Sequence, residues 1–164
     1  MFAGRYSAGR ELDILPKRTR VNDYAKMDRM RELPPSSGCF ACGLDNPSGL
    51  GIRFYTDGKA AYGEYVPTTN YQGYAGVLHG GILTTLLDEA MVKALAVEGI
   101  IAVTGKIEVR FRRPAPTGER LLVRGWVKSQ RAGGFLAEGE IIDSDGMLLA
   151  EAEGLFFSEE SKSV

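Results

Sequence analysis

The sequence predicts an α+β fold in which a curved antiparallel sheet wraps around one long central helix. Three observations carry that reading. Between Gly80 and Val97, the residues Leu83, Leu86, Leu87, Ala90, Met91, Ala94 and Leu95 recur at helical spacing and form a wide apolar face. From Ile101 onward, four stretches alternate apolar and polar residues with a period of two. Many positions on the core side of those stretches are Gly or Ala, which leaves room for something as thick as a helix to lie against them.

Taken in order, Ile52 to Thr56 and Ala60 to Val66 flank Asp57-Gly58, a hairpin turn signal. A loop rich in Gly and Tyr, Pro67 to Leu78, leads to the helix, which starts near Gly80 and stops at Gly99. In the next strand Ile101, Val103, Gly105, Ile107, Val109 and Phe111 are expected to face the core, opposed by Thr104, Lys106, Glu108 and Arg110. Val123, Gly125 and Val127 oppose Arg124, Trp126 and Lys128. Ala137, Gly139 and Ile141 oppose Leu136, Glu138 and Glu140. Ala150, Ala152, Gly154 and Phe156 oppose Glu151, Glu153 and Leu155. On the polar face, strands carrying Lys and Arg can pair with strands carrying Glu.

With 164 residues, 44% hydrophobic and 25% charged, the chain suits one domain with a real core. A net charge of −1 gives no general attraction to nucleic acid or an anionic membrane. No apolar run approaches the length of a membrane span, and Met1-Phe2-Ala3-Gly4-Arg5-Tyr6 has no apolar signal core, so a cytoplasmic protein is expected. Two cysteines build no disulfide framework. Residues 1–38 carry eight Lys/Arg against five acids and read as a basic arm packing on the domain or on a partner subunit. Asn22 is placed to cap a short helix through Leu33, stopped by Pro34-Pro35. Residues 39–164 form the domain.

Chemistry concentrates in Val77-Leu78-His79-Gly80-Gly81 and the helix that follows. Gly80 and Gly81 open the helix, where bare N–H groups and the helix dipole can polarise a carbonyl or hold an oxyanion. Asp88 lies seven residues after Gly81, on the same helix face. An electrophile-activating end together with a carboxylate suggests acyl transfer. Glu89 is read as a solvated or interface charge.

Gly76-Val77-Leu78-His79-Gly80-Gly81 followed by Asp88 resembles the hot-dog-fold acyl-CoA thioesterases, in their phenylacetate-pathway and mammalian thioesterase-superfamily branch. Cys39-Phe40-Ala41-Cys42-Gly43, Asn46-Pro47 and Gly49-Leu50 resemble the lead-in of bacterial members. Phe111-Arg112-Arg113-Pro114-Ala115-Pro116 with Gly118 resembles the family's strand-to-turn segment.

The resemblance implies a homodimer or dimer of dimers with its active site at the subunit interface. Asp88 is the implied catalytic carboxylate, Gly80 the N–H that polarises the thioester carbonyl, and His79 the histidine near the thioester. Thr104 is the implied hydroxyl, supplied by the other subunit. Relatives carry an Asn or Gln in the loop before the His; position 73 is Gly here, leaving Asn70 or Gln72 for that role. No cofactor is implied apart from the coenzyme A of the substrate.

Asp88 can serve as general base on water or as a nucleophile forming a mixed anhydride. His79 is a base or a residue holding the Gly loop. Gly81, Arg110, Arg112 and Arg113 are candidate substrate contacts, the guanidinium groups suiting phosphate, although a solvated strand end also explains them. Tyr62, Tyr65, Tyr71, Tyr74 and Met91 either line an acyl pocket or belong to the core. Cys39-x-x-Cys42 has zinc-ligand spacing, but zinc takes about four ligands and the one His is assigned. A plain turn with no metal is therefore expected. A non-catalytic acyl-CoA- or lipid-binding module is the alternative to hydrolysis.

Overall fold

The computed structural model describes residues 21–158 apart from residue 132. Its central element is helix α2, Gly80–Val97, and strands from every part of the chain close around it. Seven strands form one sheet: β1 Arg31–Leu33, β2 Phe54–Thr56, β3 Ala60–Tyr65, β4 Ala102–Phe111, β5 Leu121–Arg131, β6 Gly134–Asp143 and β7 Leu148–Ser158. Their order is β1-β2-β3-β5-β6-β7-β4, with every neighbouring pair antiparallel. Strands β2 to β7 all touch α2, so the sheet curves around it. This is the hot-dog fold.

The helix ends where the sequence punctuates it. Gly99 adopts φ +76°, the left-handed conformation that glycine takes without strain, and Ile100 N–H closes on Leu95 C=O at 3.0 Å. Leu83, Leu86, Leu87, Ala90, Met91, Ala94 and Leu95 are buried against the sheet. Burying each leucine contributes about 1.5–3 kcal/mol. The small residues do what their placement suggests. A Cβ at Gly125 would collide with the backbone of Ala90 and Met91, and one at Gly139 would press on Leu87. The helix thus rests directly on the backbone of β5 and β6.

The outer face carries the expected charge ladder. Lys128 Nζ on β5 lies 2.6 Å from Glu138 on β6 and 2.7 Å from Glu153 on β7. Both carboxylates raise the Lys128 pKa.

Two expectations need correction. The helix drawn through Leu33 is only the four residues of α1, Val21–Tyr24; Arg31–Leu33 instead pair with β2 and bury Leu33. Tyr24 then packs edge-on against Tyr62, with Leu122 and Ile142 beneath, on the outer face of the sheet. This apolar docking outcompetes the weak local helix signal. Residues 1–20, with most of the basic arm, lie outside the described residues. The second correction is the facing of β4. Its ladder to β7 shifts register between Thr104 and Lys106, a β-bulge at Gly105. Alternation is therefore inverted before the bulge: Val103 is exposed, while Thr104 turns toward α2. Glycine suits the bulge, because a Cβ there would run into the Phe157 ring and force it to move.

Candidate active site

The loop ahead of α2 is a small scaffold of backbone bonds. Gly73 N–H donates to Val77 C=O at 2.9 Å, and His79 N–H to Tyr71 C=O at 2.9 Å. The turn after β4 braces it from outside. Leu78 N–H reaches Ala115 C=O at 2.8 Å, and Thr117 N–H reaches Gly76 C=O at 3.0 Å. The Arg-Pro turn therefore fixes where the helix begins.

His79 is the N-cap. Its Nδ1 accepts the Gly81 N–H at 2.9 Å, and its C=O accepts from Ile82 and Leu83. That lone pair is committed to the helix end, so the neutral ring carries its proton on Nε2. His79 thus acts as a positioning cap, and the Gly81 N–H expected to meet substrate is already bonded. The Gly80 N–H has no acceptor among the described residues. Beside it stands the Phe111 ring, 54% exposed, which a Cβ at Gly80 would approach to 3.3 Å. Strand alternation read Phe111 only as core, whereas its ring stands exposed beside the start of α2.

Two turns along α2, Asp88 Oδ1 accepts a hydrogen bond from Thr104 Oγ1 at 2.7 Å. The pair forms within one chain, whereas the resemblance implied a hydroxyl supplied by the other subunit. Burial pushes the Asp88 carboxyl above its ordinary range; the Thr104 bond opposes that shift and the charge of Glu89 adds to it. A carboxylate raised this way is a better proton acceptor near neutral pH.

The remaining candidates separate. Gln72 Oε1 is occupied by the Gly76 N–H at 3.1 Å. Asn70 lies exposed in the 3₁₀ turn Thr69–Tyr71, and its side chain makes no hydrogen bond among the described residues. Arg112 donates to Glu151 from two nitrogens, and Arg110 sits beside Glu108 at 4.0 Å, away from the helix side of β4. Neither is a free phosphate contact. Arg113 is exposed, with no ion pair among the described residues.

Of the residues proposed for an acyl pocket, Met91 and Tyr65 belong to the core, where burial pushes the Tyr65 hydroxyl up to about 12. Tyr62 lies on the outer face and donates to Asp57 Oδ2. Tyr71 reaches Gly49 C=O at 3.4 Å, and Tyr74 is 85% exposed. Glu89 is no solvated charge either: its side chain is 12% exposed, 3.6 Å from Lys93 Nζ and 3.6 Å from Cys39 Sγ. Beside it the Cys42 thiol is raised to about 11, first by burial and then by its bond to Glu89.

A hot-dog sheet thus surrounds a helix with an unengaged N–H at its capped start and a hydroxyl-bonded carboxylate two turns on. The sequence model of the family described as thioesterase superfamily matches residues 75–150. Over that segment the chain is similar to the thioesterase superfamily, and its fold is the one those proteins share. A crystal structure of a thioesterase superfamily protein is similar at 29% identity and TM-score 0.71; the match covers 74% of this chain and 61% of that one, so this chain spans under two thirds of that relative. The PaaI protein of the Escherichia coli phenylacetic acid degradation operon is similar at 25% identity and TM-score 0.61, over 66% and 80% of the two chains. A hypothetical thioesterase from Streptococcus pneumoniae, solved with coenzyme A, shares the fold at 19% identity and TM-score 0.58, over 61% and 78%. No curated protein matches the sequence. Among the described residues, no helix is long and apolar enough to cross a membrane.

Proposed function

We propose that this chain hydrolyses an acyl-coenzyme A thioester to a free acid and coenzyme A, in a site shared between two protomers. The observation that carries the reading is the pairing of an unengaged Gly80 N–H with an Asp88 carboxylate oriented by Thr104. The N–H polarises the thioester carbonyl. Asp88 takes a proton from the attacking water, or attacks the carbonyl itself; the C–S bond breaks and the thiolate leaves.

Helix geometry supports the shared site. Gly80 and Asp88 are eight residues apart, about 12 Å along the axis at 1.5 Å per residue. Reacting atoms must approach to about 3–3.5 Å, so the two groups of one helix cannot bracket one carbonyl. Helix starts and carboxylates of two antiparallel protomers can. Strand β4 closes one end of the sheet order, and Ile101, Val103 and Phe111 stand exposed along it, an unpaired apolar edge suited to a second copy. Of the three candidate arginines, Arg113 is the one with no ion pair among the described residues, and it would meet the phosphates of coenzyme A. The coenzyme A held by the structurally similar Streptococcus pneumoniae protein agrees with that substrate class.

The test is thiol release from phenylacetyl-, benzoyl- and straight-chain acyl-CoAs by the wild type and by Asp88→Asn. The wild type should turn over at least one of them, and Asp88→Asn should lose about 10²–10⁴-fold in rate while remaining folded. Tight binding of acyl-CoA without thiol release by the wild type would favour a non-catalytic acyl-CoA-binding module.

A further inference from the structure

Apart from the thioester site, α2 and the turn before β2 bring two thiols and a carboxylate together. Cys39 Sγ, Cys42 Sγ and a carboxylate oxygen of Glu89 all lie within 4.8 Å of one another, and Cys39 Sγ stands 3.6 Å from Glu89 Oε2. A tetrahedral zinc centre has S···O edges of about 3.6 Å and S···S edges of about 3.8 Å, given its bond lengths of about 2.3 and 2.1 Å. We propose that Cys39, Cys42 and Glu89 bind one divalent thiophilic metal ion of the zinc class, with the fourth position taken by a solvent molecule.

The turn is built to present sulfur. Gly43 N–H closes it on Cys39 C=O at 2.9 Å, and a Cβ at Gly43 would strike the backbone of Ser37 and Cys39, so only glycine fits there. The Ala41 N–H points at Cys39 Sγ and the Ser36 N–H at Cys42 Sγ, each at 3.3 Å. N–H groups aimed at sulfur favour the charged, metal-binding thiolate.

The charges match as well. Lys93 is buried, 3.6 Å from Glu89 and bonded to Pro34 C=O at 2.8 Å. Two thiolates, one carboxylate and one ammonium sum to −2, which a divalent cation brings to zero where net charge is costly. On binding, two S–H bonds break, two sulfur–metal bonds form, and two protons pass to the buffer. The one histidine takes no part, so the CxxC spacing alone understates the site: its third donor lies 47 residues further along the chain, on α2.

The experiment titrates Co²⁺ into the reduced full-length chain without oxygen. The expected result is one metal per chain, thiolate-to-cobalt absorption in the near ultraviolet, tetrahedral d–d bands in the visible, and about two protons released per metal. Zn²⁺ should bleach these bands. Cys39→Ser combined with Cys42→Ser should abolish them, and Glu89→Gln, which keeps both thiols, should weaken Co²⁺ binding about tenfold or more. The proposal is overturned if the reduced wild type shows no tetrahedral cobalt spectrum. It is equally overturned if the Cys variant keeps the spectrum, or if folded Glu89→Gln binds Co²⁺ as tightly as the wild type.

Discussion

Thr104 Oγ1 donates to Asp88 Oδ1 across 2.7 Å because a one-residue bulge at Gly105 turns Thr104 to the helix side of β4. Strict alternation would have pointed the hydroxyl away from the helix. The bulge, and the Phe157 ring that occupies the space over Gly105, thus set the orientation of the candidate catalytic carboxylate.

Thr104→Val is expected to lower kcat about 10- to 100-fold with little change in KM, since a hydrogen bond to a charged group contributes about 1.5–3 kcal/mol. Thr104→Ser should restore most of the rate, because the hydroxyl is the acting group. Steady-state kinetics of the three proteins on one acyl-CoA check this. A matched rise in KM with kcat unchanged would mean that Thr104 only shapes substrate binding.

His79 separates capping from base catalysis. Its Nδ1 holds the Gly81 N–H, so His79→Ala should cost about 1 kcal/mol of stability, a fall in Tm of about 2–4 °C. His79→Asn supplies a side-chain oxygen to the same N–H and should recover that loss along with most of the activity. Thermal melts and thiol-release rates read both effects. If His79 were the general base, both variants would lose about 10²–10⁴-fold in rate regardless of stability.

Much of this architecture was legible in the sequence. The apolar periodicity of α2 and its glycine stop gave both helix ends, Gly80 and Val97. Gly125 and Gly139 marked where a helix rests on the sheet. What alternation could not show was the bulge, because one extra residue in a strand leaves its composition unchanged. Nor could spacing show that Glu89 faces Cys39 and Cys42, since that contact depends on how the turn before β2 packs on α2. The commitment of Arg112 to Glu151 likewise appears only once β4 and β7 are paired.

The β2–β3 hairpin provides a pH handle remote from the site. Asp57 Oδ1 accepts the N–H groups of Lys59 and Ala60 at 2.9 and 3.0 Å, and Oδ2 accepts the Tyr62 hydroxyl at 3.1 Å. Partial burial works to raise the Asp57 pKa, but these donors outweigh it and hold the carboxyl below its ordinary value. A carboxylate depressed in the folded state stabilises at pH above its unfolded value of about 3.9, and that contribution is lost as pH falls through the folded value. Asp57→Asn should therefore melt below the wild type at pH 7, with the gap closing as pH falls below the ordinary carboxylate range. A gap that stays constant with pH would show that the charge of Asp57 contributes nothing.

The central claim is that Gly80 of one protomer and Asp88 of another act on the same thioester. Gly80→Pro removes the N–H at the first helical position, where proline is favoured; the extended backbone of His79 accepts a following proline, and the exposed Phe111 ring gives way by a few tenths of an ångström to its Cβ. Gly80→Pro and Asp88→Asn should each be inactive alone. After co-refolding at equal amounts, about half the dimers are mixed, and each mixed dimer keeps one of its two sites intact. The mixture should then recover about a quarter of wild-type thiol release. A mixture as inactive as its components, with mixed dimers demonstrated, would contradict the shared site.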